Sequence, residues 1–346
     1  MLNKETRPAH SRFSPSGAST WSKCSSYLVY KEMFPPSDAS LEIMNKGSAL
    51  HEAAVAIFNE ENIDRFDLSD ATFENLKEYC NFIKNIADSF QGDVFLEMSL
   101  DVTSDTGVDI YGTADAVIVT PDFIQMIDLK TGRYPVKAKN NLQLGIYLMG
   151  AAEKFGHKGR KFYGTIYQTN DINTKIETSE FTLDWLRNTR ATLFAQVDDI
   201  KENKFNVSLG EHCAFCPGKV LCPAYLNKIK TIFSSKSFLF AGSDIVGTLK
   251  SIKEIEKFGE EFRYFVVKEI DNGLEVPGYK TTSRKTLDWN GDHKLISKIL
   301  AAATGFDAEF FFNYKLKTPN EVMKLVDVDV SDYVVAKETK RFLKET

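Results

Sequence analysis

The chain has 346 residues, 43% of them hydrophobic, enough for one large or two modest domains with proper cores. No apolar run approaches the ~20 residues of a membrane-spanning helix, and the opening MLNKETRPAHSRF lacks an apolar signal core, so a soluble, cytoplasmic protein is expected, with no membrane partner. The formal net charge of -5 excludes a broad basic nucleic-acid surface, yet it leaves room for a local basic groove beside clustered carboxylates.

Residues 14–30 read as the first helix, started by Ser14 and Pro15, with Trp21, Cys24 and Leu28 on one stripe. Taken alone, Cys24 is an ordinary buried thiol. A helix over residues 40–59 turns Leu50, Ala53, Ala54 and Ile57 inward and carries His51 on its shoulder, where a lone histidine is a satisfied polar group. Residues 71–90 give a third amphipathic helix with Cys80 in its apolar set. Then Val94, Leu96, Met98, Leu100 and Val102 alternate with Phe95, Glu97, Ser99 and Asp101, the signature of a strand. Glu97 projects opposite the apolar set, as a third acidic group at a site or as a surface charge on an edge strand.

Two β-branched runs, residues 111–120 and 123–130, flank a Pro121-Asp122 turn and read as a hairpin. Alternation puts Tyr111, Thr113 and Asp115 on one face of the first strand and Met126, Asp128 and Lys130 on one face of the second. The same faces carry Val117, Val119 and Ile124, so two carboxylates and an ammonium would close an apolar surface. A basic loop with Arg133, Lys137 and Lys139 follows, then a helix over residues 141–155 with Gln143 and Tyr147 one turn apart. Asp-x-Lys alone is common on exposed strands, and a Gln/Tyr pair alone suits a solvated face. Their order and spacing, D-x12-D-x-K and then Q-x3-Y, point to a site.

With Gly112-Thr-Ala-Asp115, Ile127-Asp128-Leu129-Lys130 and Gln143-Leu-Gly-Ile-Tyr147, the chain resembles the RecB-like branch of the PD-(D/E)XK nucleases. That branch has a histidine on a preceding helix, which Lys46-Gly-Ser-Ala-Leu-His51 supplies. The resemblance implies a restriction-endonuclease-like α/β fold, a mixed sheet flanked by helices. It also implies a Mg2+- or Mn2+-dependent deoxyribonuclease, with the metal held by Asp115, Asp128, His51, the Leu129 carbonyl and, as a further candidate, Glu97. Lys130 would orient or deprotonate the attacking water, while Gln143 and Tyr147 would position the DNA strand. Hard oxygen ligands suit those ions, and phosphodiester hydrolysis needs their charge.

Strands over residues 161–169 and 176–181 and a long helix over 182–204 follow. Next, His212-Cys213-Ala-Phe-Cys216-Pro-Gly-Lys-Val-Leu-Cys222-Pro223 gathers three cysteines, poor disulfide candidates in a cytoplasmic chain and good metal ligands. Three thiolates are one short of a closed site. In AddB-type nucleases and related CRISPR-associated nucleases, one cysteine before the nuclease core and three after it bind a 4Fe-4S cluster. The layout of Cys24, Cys213, Cys216 and Cys222 resembles theirs. Zinc is the alternative, with His212 in place of Cys24.

The nuclease domain is thus placed at residues 1–225, a polar connector at 226–236, and a smaller, mainly helical α+β accessory region at 237–346, for DNA or partner binding. Within it, residues 274–289 read as a hairpin presenting Lys280, Arg284 and Lys285 among aromatics, suited to DNA contact or equally to a solvated ribbon. Helices are expected over 238–271, 293–303 and 319–326. The tail resembles the C-terminal region of an uncharacterised family of phage-encoded RecB-like nucleases. That implies an exonuclease in phage DNA recombination, repair or replication in a bacterial host, acting on single- or double-stranded DNA beside a recombinase or single-strand-binding protein. The alternative is a DNA-binding or assembly protein that kept the nuclease fold and lost catalysis.

Overall fold

In a computed structural model the described residues are 11–34, 38–104, 107–132, 134–169, 174–234, 245–283, 285–311, 317–325, 329–338 and 342–345. The chain forms two compact units, Met1–Lys228 and Ile229–Thr346.

The first unit opens with a 3-10 turn at Pro15–Gly17, a short helix α1 (Ala18–Trp21) and α2 (Ser26–Met33). One helix was expected over this stretch, but the chain breaks between α1 and α2. Asn206, far along the sequence, takes the Ser25 N–H at 2.8 Å and its hydroxyl at 2.6 Å, and its carbonyl accepts the Ser26 N–H at 3.1 Å. Those bonds compete with the helical ladder and leave Cys24 in the break. The Ser14 hydroxyl makes no capping bond; its carbonyl accepts the Trp21 indole N–H at 3.0 Å instead.

Helices α3 (Asp38–Phe58) and α4 (Asp70–Phe90) pack on one face of a five-stranded mixed sheet. The sheet runs β1 (Asp93–Ser104), β2 (Gly107–Val119), β3 (Phe123–Lys130), β4 (Lys161–Thr169), β5 (Thr174–Glu180), in that spatial order. All pairs are antiparallel except β3 with β4, which the crossover helix α5 (Leu142–Phe155) joins in parallel. Parallel pairing buries β3 almost throughout. On the other face lie α5 and α6 (Leu183–Lys201), so the restriction-endonuclease-like expectation of a mixed sheet flanked by helices holds. Gly145 and Gly150 permit this close packing: a Cβ on Gly145 would lie 2.4 Å from the Trp185 ring, and one on Gly150 2.9 Å from the Asp101 carbonyl. Helix α7 (Pro223–Ser234) follows the cysteine segment.

The strict alternation expected in β1 fails at one rung. Val94 and Leu96 pack into the α3–α4 core, whereas Met98, Leu100 and Val102 pack into the α5–α6 core. Across the ladder Ala116 and Ile118 join the first core while Ala114, Val117 and Val119 join the second. Both strands therefore change phase where Glu97 lies opposite Asp115, between the Leu96–Ala116 and Met98–Ala114 pairs. The cause is local: Glu97 has a left-handed backbone with φ 45°, a conformation that costs a non-glycine residue roughly 1–2 kcal/mol. Asp115 consequently does not continue the face of Val117 and Val119, and the charged groups lie between two cores rather than at the end of one apolar surface.

The second unit contains α8 (Ile245–Asp271), β6 (Tyr279–Thr282), β7 (Lys285–Trp289), α9 (His293–Thr304), α10 (Pro319–Leu325), β8 (Val334–Glu338) and β9 (Phe342–Glu345). Among the described residues β6 and β7 do not pair as the expected hairpin: β6 pairs with β9 and β7 with β8, because later strands supply the ladder partners. Its core holds Trp289, Ile296, Leu300, Phe311, Val322 and Val330. Lys280 is exposed on β6. Arg284 lies outside the described residues, as does the side chain of Lys285. Among the described residues no helix is long and apolar enough to cross a membrane.

Candidate functional site

The β2–β3 ladder runs from Val119–Ile124 to Ala116–Ile127 and stops. The next rung would set Asp115 against Asp128. Instead the strands part, and the Asp115 carboxylate replaces a strand carbonyl, its Oδ2 accepting the Leu129 N–H at 2.7 Å. The opening between the strands is thus built into the position of one aspartate.

On the α3 side, His51 Nδ1 lies 3.2 Å from Asp115 Oδ1 and 3.9 Å from Glu97 Oε1. These three side chains offer ligand atoms within 4.8 Å of one another, a spacing able to hold a metal ion. The left-handed turn at Glu97 is what brings its carboxylate to Asp115, so of the two readings of Glu97 the structure places it beside the aspartate. Burial and the Asp115 charge push the Glu97 carboxyl above its ordinary value, against the opposing pull of His51. Burial lowers the His51 imidazole, but its hydrogen bond to Asp115 and the charges of Asp115, Glu97 and Asp128 outweigh this, leaving it above the usual histidine value. A shallow recess beside them is lined by these three residues together with Val55, Phe58, Leu96 and other apolar groups.

On the α5 side, three residues close a ring. Gln143 Nε2 donates to Asp128 Oδ1 at 2.8 Å, Lys130 Nζ donates to Gln143 Oε1 at 3.1 Å, and Lys130 Nζ lies 2.8 Å from Asp128 Oδ2. Asn141 caps α5 by accepting the Leu144 N–H, which fixes the helix turn carrying Gln143. Asp128 is only 2% exposed. Burial pushes its carboxyl up to about 6 against the pull of Lys130, with Asp115 adding to the rise. Its Oδ2 has the ammonium beside it but no hydrogen bond of normal directionality. Tyr147 is buried behind this ring, its hydroxyl hydrogen-bonded to Gln143 and raised by burial. A Cβ on Gly112 would come within 3.0 Å of that hydroxyl, so the glycine of the first motif makes room for the tyrosine of the third. The arrangement can hold a cation on carboxylates and imidazole while keeping an ammonium in a fixed position beside it.

Away from this site, the break after α1 lies along residues 206–213. Ser208 Oγ donates to the Lys23 carbonyl at 2.6 Å, Cys24 Sγ lies 3.7 Å from the Asn206 carbonyl, and Cys213 Sγ lies 3.9 Å from the Ser208 carbonyl. All five cysteines are free thiols. Burial pushes the Cys216 thiol up to about 11, against a hydrogen bond from Gly218, and Cys24, Cys213 and Cys222 each add to the rise. Sequence reasoning missed two residues here. Tyr27 is raised by burial and by Cys216, and Tyr30 by burial and by Cys222, Cys216 and Cys24. Their i, i+3 spacing on a helix next to Cys24 was the available signal. Tyr30 packs closely on Gly218 of the cysteine loop, leaving no room for a Cβ there. Gly218→Ala is therefore expected to destabilise the first unit by about 1–3 kcal/mol, read as a lowered melting temperature. An unchanged melt would show that Tyr30 has room to move.

Among solved structures, the chain is similar to SSO0001, at 19% identity over 45% of this chain and 72% of that one, with a TM-score of 0.29. It is also similar to an alkaline exonuclease from Laribacter hongkongensis, at 9% identity over 54% of this chain and 92% of that one, with a TM-score of 0.26. To that exonuclease in complex with dAMP it shows 11% identity over 45% of this chain and 91% of the other, with a TM-score of 0.26. Residues 10–342 match the family described as "Protein of unknown function (DUF2800)", and the chain belongs to that family.

Proposed function

We propose that this protein is a divalent-metal-dependent deoxyribonuclease. The observation that carries the reading is the junction where β2 and β3 part: Asp115, His51 and Glu97 on one side, the Asp128–Lys130–Gln143 ring on the other. The donor set fits Mg2+ or Mn2+, being rich in carboxylate oxygen and including a buried Asp128 oxygen that lacks a directional hydrogen bond. Asp115, Asp128, His51, the Leu129 carbonyl and Glu97 would hold the ion, which when bound neutralises phosphate charge and acidifies water.

The chain's own groups do the rest. Gln143 ties Asp128 to Lys130, so the ammonium is presented in one orientation, where it can direct a water at phosphorus and exchange its proton. Tyr147 buttresses Gln143 from the core. Attack in line forms the new P–O bond as the sugar oxygen leaves; a 5′-phosphate product, exonucleolytic action and a place in phage DNA recombination, repair or replication are what the RecB-like resemblance adds.

A 4Fe-4S cluster on Cys24, Cys213, Cys216 and Cys222 is what the AddB-like resemblance adds; among the described residues the group gathered closely enough to hold an ion is His51, Glu97 and Asp115, not the cysteines. Zinc is the alternative, with His212 in place of Cys24; His212 Nε2 lies 3.0 Å from the Ser208 carbonyl. Cys24 is held against the 206–213 segment by Asn206 and Ser208. A cluster there would join the two chain segments that flank the sheet.

The test is digestion of end-labelled single- and double-stranded DNA with Mg2+ or Mn2+, with 5′- and 3′-blocked substrates to separate end-dependent from internal cutting. Cleavage is expected to require the metal and to fall about a hundred- to ten-thousand-fold in Lys130→Ala. Full activity in purified, folded Lys130→Ala sinks the proposal, and DNA binding without cleavage by the wild type returns the protein to the class of inactive nuclease folds.

A further inference from the structure

Lys130 and Gln143, which meet at the ring, lie at the two ends of one irregular stretch of chain, a strap over residues 131–140 that leaves β3 and enters α5. An irregular segment keeps its conformational freedom unless its backbone is tied down; Arg133 within it lies outside the described residues. Gln168 on β4 supplies the tie. Alternation puts it on the sheet face that Ile166 turns to the α5–α6 core, and there it pairs in register with Lys130. Gln168 is buried, and its amide and its oxygen both go to the strap. The amide donates to the Gly132 carbonyl at 2.7 Å and the Tyr134 carbonyl at 2.8 Å, while the oxygen accepts the Val136 N–H at 3.1 Å.

The far half of the strap is tied as well. Glu177 on β5 accepts the Ala138 N–H at 3.0 Å, and Ala138 is fully buried. Asn141 Nδ2 donates to the Lys137 carbonyl at 3.0 Å, its N–H donates to the Ala138 carbonyl at 3.2 Å, and its side-chain oxygen caps α5. Each of these bonds acts on backbone that links the two ring residues. The 3.1 Å contact of Lys130 with Gln143, and with it the 2.8 Å approach of the ammonium to Asp128, is therefore fixed through a strap whose shape a buried glutamine on the neighbouring strand decides.

We propose that Gln168 is a positioning residue: by pinning the strap from β4 it sets the separation of Lys130 and Gln143 and so holds the Lys130 ammonium on Asp128. Its consequence for cleavage rests on the nuclease reading, and the test separates the two. Amine-reactive labelling of the full chain in chelator, read lysine by lysine by mass spectrometry, reports how firmly Lys130 is held. Gln168→Met keeps the bulk of the buried side chain and removes its hydrogen bonds. It is expected to speed labelling of Lys130 about fivefold, the factor carried by one net hydrogen bond, and to leave the exposed Lys158 as in the wild type. In metal-supported digestion of DNA the same variant should lower kcat about ten- to a hundredfold and leave KM near wild type. Added to Lys130→Ala it should lower kcat no further, because a residue that acts through Lys130 has then nothing to act on. Gln168→Asn, which keeps a polar group in the buried position but is too short to span the strap, is the milder second variant and should shift labelling in the same direction. Unchanged Lys130 labelling in the folded variants overturns the proposal, even where the wild type cuts DNA, and so does a kcat loss that adds in full to that of Lys130→Ala. Faster labelling of Lys130 in a protein that cuts nothing upholds the positioning and removes the nuclease reading.

Discussion

Asp128→Asn is expected to abolish DNA cleavage and, in metal-free protein at pH 8, to make the fold more stable. A residue kept for architecture would behave in the opposite way. Asp128 is buried and its carboxyl is pushed up to about 6 in the folded chain from an ordinary 3.8. The folded state therefore holds this proton more tightly than the unfolded one, so the carboxyl's contribution to stability is lost as pH rises between about 4 and 6. Above that window the ionised group costs on the order of 3 kcal/mol, at about 1.36 kcal/mol per pKa unit. Asparagine keeps an oxygen for the Gln143 amide and carries no charge, and the partly exposed Lys130 ammonium, 2.8 Å from the replaced oxygen, turns to water, so the cost is relieved. Chemical denaturation in chelator at pH 5 and pH 8 reads the effect: the two proteins should match at the lower pH and separate at the higher, with the variant the more stable. Saturating Mn2+ should cancel the advantage, since the ion compensates the carboxylate only in the wild type. Retained cleavage, or a variant less stable than wild type at pH 8, would contradict the role given to Asp128.

The second large effect is expected at a cysteine far in sequence from its partners. Cys24→Ser should strip anaerobically purified protein of iron, inorganic sulfide and visible absorbance, and lower the melting temperature of the first unit. A link from Cys24 to the 213–222 segment closes a loop longer than a hundred residues, for which the chain-entropy estimate exceeds about 4 kcal/mol. Cys80 is the internal control. It is buried in α4, its thiol pushed up to about 11 chiefly by burial and donating to the Ala54 carbonyl at 3.3 Å, so Cys80→Ser should leave iron content unchanged. Equal iron in wild type and Cys24→Ser would break the four-cysteine assignment, and zinc in place of iron would move it to the alternative metal.

Much of the fold was legible because its signals are local. The strand at Lys161–Thr169 and the helix starts at Asn141, Thr182 and Thr318 follow from alternation and capping chemistry carried by neighbouring residues. The parts that were not legible depend on distant partners or on a backbone state that the residue type hides. Asn206 interrupts what reads as one helix around Cys24, and β8 and β9 take the partners that a hairpin at 274–289 would have used. Glu97 adopts a conformation expected of glycine or asparagine, so its strand looks regular on paper and changes face in space. At the candidate site the residue types and spacing were visible, but the division of labour was not: His51 and Glu97 gather around Asp115, while Gln143 and Lys130 gather around Asp128.

That change of face at Glu97 and Asp115 ties the ligands to the mechanics of the whole unit. Around the crossing Leu96 and Ala116 belong to the α3–α4 core and Met98 and Ala114 to the α5–α6 core, so the rung sits where the strands pass from one layer to the other. A relative shift of the two helical layers would therefore be felt at the gap between the Asp115 and Asp128 carboxylates. By the same coupling, an ion held at this rung is expected to stiffen the two layers against each other.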